Sequence, residues 1–345
     1  MGRAGLNRKT ALATLTLTLA AEAPDVDVVG GFWGRAFGFE HHRGFTHSFV
    51  GVPLDAAVVV GFVYLLWRLR GRKTNDPTLP PRWGLLFFYA CLAGLSHILL
   101  DFTNNYGVRP FWPFSEKWYS WDIVFIFEPV MFGLLVLGLV VPALFALIDK
   151  DIGARSRHPR GRVGATVALI GVILMWGVRD YEHRRAIQVL ESQDYNGADP
   201  VRVSAYPKWV DPFHWYGVIE TPAFFGLTSV NSLDPEIVAE DQLEIHYKPE
   251  ETAITLAAKN SYAGRAFLDW AQYPITETEP IQGGDQGYVV HFQDLRYAQM
   301  SDSMRGNRRR RPLSTAIKLD RSLRVVGDVY YNGEKQVVEP DRAER

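Results

Sequence analysis

The sequence predicts a polytopic α-helical membrane domain of about five helices, followed by a soluble α+β or mostly β domain. Three observations carry this. The four long apolar runs are confined to residues 49–178. Residues 180–345 have the composition of an ordinary water-soluble segment. Histidines and carboxylates stand at the ends of the apolar runs, where an ionisable group needs a reason to be. The boundary is placed between 1–180, a membrane-embedded domain, and 181–345, an extracytoplasmic domain.

Taken in order, Thr10 to Ala23 is moderately apolar and follows Arg3, Arg8 and Lys9. It resembles a signal peptide, and Ala21-Glu22-Ala23 mimics a cleavage site. The run is short, rich in threonine and leads into an acidic motif, so it is read as a membrane helix that is incomplete at its beginning. Phe49–Trp67, Trp83–Asn104, Ile123–Ile148 and Val163–Val178 can each span a bilayer. The loops 68–82 and 149–162 are rich in arginine and lysine, which places them on the cytoplasmic side. By alternation, 24–48, 105–122 and everything after the last span lie outside. Arg179, Arg184 and Arg185 argue against that, but two basic loops outweigh one cluster. The chain is thus expected to be multi-pass in a membrane, with membrane lipids as neighbours.

Beyond the spans, Val201–Tyr206, Trp215–Glu220, Ala253–Ala258, Tyr288–Phe292 and Leu323–Tyr331 read as strands, and Tyr262–Gln272 as a helix. The basic run 305–311 reads as a solvated loop in preference to a contact with anionic lipid. A net charge of -1 gives no hint of nucleic acid as a partner. The single cysteine, Cys91, excludes an intrachain disulfide and reads as a small core residue.

The chemistry gathers in a few residues. His97 and Asp101, four apart, project from one helix face about 20 Å along their span. Alone, the pair could be a polar contact between helices. Asp25, Asp27, His42, His47 and Asp122 fall on the same outer side, although that side was assigned from lysine and arginine only. Imidazole nitrogen with carboxylate oxygen suits zinc and similar divalent ions, manganese among them. Each residue has a plainer reading too. Asp25 and Asp27 could be solvated loop groups, and His41 is the spare beside His42. Arg43 is a surface charge or an anion clamp, and Gly44 permits a tight turn. Thr46 and Ser48 are helix caps or supports for a ligand. Asp55 reads as a buried hydrogen-bond partner; Glu128 stays ambiguous. The aromatic loop from Tyr106 to Trp121 reads as interfacial anchoring, with a groove for a lipid-like substrate as the alternative. The sequence has no phosphate-cradling glycine loop, serine nucleophile elbow or His-Glu-x-x-His helix.

At His42-Arg43-Gly44-Phe45-Thr46-His47-Ser48 the sequence resembles the YdjM-type (LexA-regulated) family of membrane-bound, metal-dependent hydrolases. The resemblance extends to Ala23-Pro24-Asp25-Val26-Asp27, to Ser96-His97 with Asp101, and to Phe111-Trp112-Pro113-Phe114-Ser115. It covers roughly the first half of the chain. It implies a hydrolase distantly similar to zinc-dependent phospholipases C, in which a His-x-x-x-Asp helix helps hold zinc. It further implies Asp25, His42, His47, His97 and Asp101 as metal ligands. Family members usually carry a Thr-His pair ahead of Gly2-Arg3-Ala4-Gly5-Leu6, and the expectation is a start placed too late. Asp27 is added to the expected ligands, with Asp122 as a further ligand or general base and Arg43 as the anion clamp. The substrate is a phosphoester or similar ester, lipid-like esters included. The alternative is a non-enzymatic metal-binding or envelope-scaffolding protein. An ion transporter fits less well, because the polar residues gather at one face.

Overall fold

The computed structural model describes residues 1–74, 76–151, 160–195, 197–234, 243–281, 287–298, 313–332 and 335–339. A helical half precedes a half built of antiparallel sheets. The helical half contains α1 (Ala13–Glu22), α2 (Arg35–His41), α3 (Gly51–Leu69), α4 (Trp83–Thr103), α5 (Pro129–Asp151) and α6 (Arg160–Glu191). Among the described residues, three helices, Gly51–Leu69, Trp83–Thr103 and Gly161–Glu191, are long and apolar enough to cross a membrane. Leu54, Val58, Phe62 and Leu65 on α3, like Val163, Val167, Ile170 and Leu174 on α6, are exposed, as lipid-facing side chains would be.

α1 packs with α3 and α4 through Ala13, Leu17, Ala20, Ala56, Val63, Leu86 and Ala90. α5 and α6 approach through small residues. A Cβ on Gly138 would collide with Ala168, and one on Gly164 with Pro142. Two expectations for this half need correction. The run expected from Ile123 becomes helical only at Pro129, whose fixed φ suits a first helical position. Glu128 precedes it and accepts the Val130 N–H at 3.2 Å. The run ending at Val178 continues as helix to Glu191, because Ala186, Val189 and Leu190 cover the first sheet.

That sheet is the meander β1 (Arg202–Pro207), β2 (His214–Glu220), β3 (Phe224–Asn231) and β4 (Glu244–Tyr247). Gly217 on β2 leaves room for Leu190, whose Cδ atoms lie 2.9 Å from where a Cβ would stand. The second sheet is β5 (Pro274–Pro280), β6 (Gly287–Asp294), β7 (Thr315–Asp320), β8 (Val325–Asn332) and β9 (Lys335–Glu339). α7 (Ala253–Lys259) and α8 (Tyr262–Trp270) cover it through Ala258, Ala263, Phe267, Phe292 and Ile317. The segment 253–258, expected as a strand, is α7. Thr252 and Thr255 form a reciprocal capping box, at 3.1 Å and 2.9 Å, ahead of an alanine-rich turn. The basic run 305–311 lies outside the described residues.

The two halves meet along the loop after α4. The Asn105 carbonyl accepts from Arg296 Nη1 at 2.8 Å and from the Tyr297 hydroxyl at 2.9 Å, and the Tyr106 carbonyl accepts from Trp270 Nε1 at 3.0 Å. Of the loop aromatics, Tyr106 is buried in this seam and Trp118 packs beside it, while Phe111 and Phe114 are exposed.

Candidate metal centre

The centre forms where α3 begins and α4 ends. Asp25 and Asp27 lie on a 3₁₀ segment, Pro24–Trp33, opened by a proline. His47 closes a single 3₁₀ turn, Phe45–His47. Gly51, at the start of α3, has no side chain to collide with the Phe45 carbonyl, so the turn lies directly on the helix. Ser48 steadies the junction, accepting the Gly51 N–H at 2.9 Å and donating to Phe45 O at 2.7 Å. His97 and Asp101 project side by side from the last turns of α4.

Four ligand-type atoms converge. His47 Nε2 lies 3.2 Å from His97 Nε2, 3.2 Å from Asp101 Oδ2 and 3.5 Å from Asp25 Oδ1. His97 Nε2 lies 3.4 Å from Asp25 Oδ1 and 3.5 Å from Asp101 Oδ2. A tetrahedral cation with ligand bonds of about 2.0–2.2 Å separates its donors by roughly 3.3–3.6 Å. Five of the separations in this group are close to that edge. Without a cation, one of the two facing imidazole nitrogens donates to the other; with both lone pairs free, the two can share a cation. Asp101 Oδ2 is buried and aimed at both nitrogens. The His47 side chain has no solvent exposure, whereas that of Asp25 is 50% exposed, so the group opens on the Asp25 side. Asp25, His47, His97 and Asp101 could therefore hold a divalent cation.

A surrounding set fixes these side chains. Asp27 accepts from the Arg43 backbone N–H at 2.8 Å and the Thr46 hydroxyl at 3.1 Å, and pairs with His42 Nδ1 at 2.9 Å and His47 Nδ1 at 3.2 Å. A proton on Nδ1 of His47 then turns the Nε2 lone pair inward. Arg43, buried, in a left-handed conformation with φ 54° and over the Tyr106 ring, donates from Nη2 to Asp101 Oδ1 at 2.9 Å. Its Nη1 donates to Gly107 O at 3.0 Å and Asn104 Oδ1 at 3.3 Å. Burial alone would depress the His47 imidazolium, but hydrogen bonds to Asp101, Asp25 and Asp27 outweigh it and lift the pKa to about 10. Hydrogen bonds from His47 and His97 hold Asp25 well below the usual carboxylate range. Burial works against Asp27, yet its hydrogen bonds with His42 and His47 pull it well down too.

Of the residues expected to act, Asp25, His47, His97 and Asp101 come together, while Asp27 and His42 form the adjoining layer. Arg43 reaches Asp101 through Nη2 while Nη1 is held by Gly107 O and Asn104 Oδ1, which places it as a brace for that carboxylate. Asp122 stands apart, at the seam between the halves, with Ser120, Arg296 and Asp294 as the neighbours that bear on its charge. His41 stacks on Phe37 at 3.9 Å and bonds to its carbonyl at 2.9 Å. Asp55 Oδ2, inside α3, is buried with no hydrogen-bond partner among the described residues. Glu128 pairs with Arg179 at 2.9 Å. Tyr106, Asn104 and Gly107 hold Arg43; the sequence marked Tyr106 only as an interfacial aromatic and gave Asn104 and Gly107 no role.

A helical half with apolar spans and a metal-ligand cluster at their ends defines a membrane protein with a candidate metal centre. The YdjM inner membrane protein family model matches residues 1–184, more than half of the chain, and the chain belongs to that family. The chain is also similar to a protein of Bacillus subtilis (strain 168), "Uncharacterized protein YfhP", at 26% identity over 298 residues, or 85% of this chain and 80% of the relative. That likeness extends past residue 184 into the sheet half. No solved structure matches.

Proposed function

We propose that the chain is a multi-pass hydrolase of the bacterial plasma membrane, with Asp25, His47, His97 and Asp101 holding zinc or manganese. Its substrate is a phosphoester or similar ester, and residues 181–345 form a domain on the outer side. The observation that carries this reading is the set of five separations of 3.2–3.5 Å among two imidazoles and two carboxylates. A divalent cation held there supplies Lewis acidity and makes water acidic enough to serve as a nucleophile near neutral pH. The chain's own residues do the positioning. Asp27 holds the Nδ1 proton of His47, Arg43 fixes one oxygen of Asp101 and leaves the other for the cation, and Asp25 borders the open side. The His-x-x-x-Asp spacing on α4 supports the phosphoester, since it resembles the zinc helix of phospholipases C.

Purified protein is expected to carry near-stoichiometric zinc or manganese, and His97→Ala to lose most of it. Hydrolysis of bis(p-nitrophenyl) phosphate is expected from the wild type and to fall at least about a hundredfold in Asp101→Asn. Metal-free wild type would end the proposal. Equal rates from both proteins, with metal present, would leave a non-enzymatic metal-binding protein.

A further inference from the structure

Beside the metal group, between the two halves, lies a cavity of about 340 Å³. Val28, Phe39 and Tyr106 line it from the helical half, and Ala263, Phe267 and Leu313 from the sheet half. His42 stands in the wall they form. That histidine ties the cavity to the centre, because Asp27 pairs with it at 2.9 Å and with His47 at 3.2 Å. The His42 and His47 rings are 5.9 Å apart, about one ring's breadth. An apolar hollow of this size ending on a few converging polar groups has the anatomy of a small-molecule site.

We propose that this cavity takes the apolar moiety of the substrate, an alkyl or aryl group on a phosphoester whose phosphoryl end lies at the metal group. The sheet half then has a task that the composition of residues 181–345 does not disclose: it forms the far wall and sets which apolar group fits. This rests on the hydrolase reading for the phosphoryl end, and on the cavity itself for the apolar end.

The test uses the zinc-loaded full chain in detergent and two soluble probes, hexylphosphonate and methylphosphonate, titrated calorimetrically. The hexyl probe is expected to bind about tenfold tighter or more, since each buried methylene contributes to affinity. Gly31 also lines the cavity, and a Cβ there meets no atom within 4 Å, so Gly31→Leu adds bulk to open space. That substitution is expected to bring the preference to within about twofold, and Ala263→Val, from the opposite wall, to move it in the same direction. Equal affinities in the wild type, no binding of either probe, or a preference intact in both variants overturns the proposal. Turnover of methyl p-nitrophenyl phosphate is read separately. Turnover without chain-length preference defeats the cavity alone, and preference without turnover defeats the hydrolase reading alone.

Discussion

Two buried charge clusters in this molecule differ in one respect that separates scaffold from site. Asp294 and Arg296, in the sheet half, balance one negative charge with one positive. Asp294 accepts from Gln272 N at 2.7 Å, Arg296 N at 2.9 Å and Arg296 Nε at 2.9 Å. Arg296 gives its remaining hydrogens to Asn105 O at 2.8 Å and Trp270 O at 3.1 Å, with its plane 4.4 Å over the Trp270 ring. Every side-chain nitrogen and oxygen of that pair has a partner in the protein. The group at residues 25, 47, 97 and 101 leaves lone pairs turned toward a common point. Charge removed from water must be compensated: the first cluster does so with a fixed ion pair, whereas the second, without a cation, does so by keeping a proton on His47 that a metal can displace.

The largest effect that can break this comparison comes from Arg296→Met. It strands Asp294 in an apolar interior and is expected to cost about 3–5 kcal/mol of stability, read by denaturant unfolding. Zinc bound per folded molecule is expected to stay as in the wild type. Zinc lost with stability unchanged would reverse the roles assigned to the two clusters.

A smaller effect sharpens it. Asp27 touches both histidines of the loop without joining the converging set, so Asp27→Asn is expected to weaken metal binding about 10–100-fold, measured by chelator competition. The sign of its pH dependence follows from His47. Its pKa, raised to about 10, keeps a proton on the cation-free imidazole throughout the neutral range. Metal must displace that proton, so affinity is expected to rise with pH below 10, by about tenfold per unit for each proton released. Asp27→Asn removes one of the carboxylates that raise His47, so the rise should level off at a lower pH. An unchanged affinity and pH profile would remove Asp27 from the site.

The difference between these two clusters also marks how much the sequence discloses. The ligand pair on α4 was legible because helical spacing alone sets His97 beside Asp101. Asp25 and His47 were legible because charge in the loops put them at the same membrane face. Spacing could not tell that Asp25 faces the cation point while Asp27, two residues on, faces the histidines from behind; the turn of the 3₁₀ segment decides that. Arg43 and Asp101 are far apart in sequence, so the brace between them was invisible. In the sheet half, a local cap at Thr252 defeated the β-like pattern of 253–258, and β5 was missed because Pro274–Pro280 is polar and draws its order from pairing with β6. The Asp294–Arg296 cluster escaped notice altogether, since its partners come from the loop after α4.

The smallest expected effect concerns Asp122, which the sequence assigned to catalysis and the fold sets in the seam. Its backbone is left-handed, with φ 58°, and Oδ1 is buried without a hydrogen-bond partner among the described residues. Burial raises its pKa from 3.8 to about 6, against a hydrogen bond from Ser120 and the pull of Arg296. A carboxyl with a raised folded value opposes folding when ionised. At pH 3 it is largely protonated in both states and carries little penalty. The unfolded chain ionises first as pH climbs past 3.8, and the penalty is complete above about 6. Asp122→Asn keeps the shape, suits the left-handed backbone and cannot ionise. It is expected to stabilise the protein by on the order of 1–2 kcal/mol at pH 8 and by much less at pH 3, read as melting temperatures of the two proteins in the same detergent. A variant with unchanged melting at pH 8 but lost turnover would return Asp122 to the catalytic role and give the molecule a second site of unspent charge.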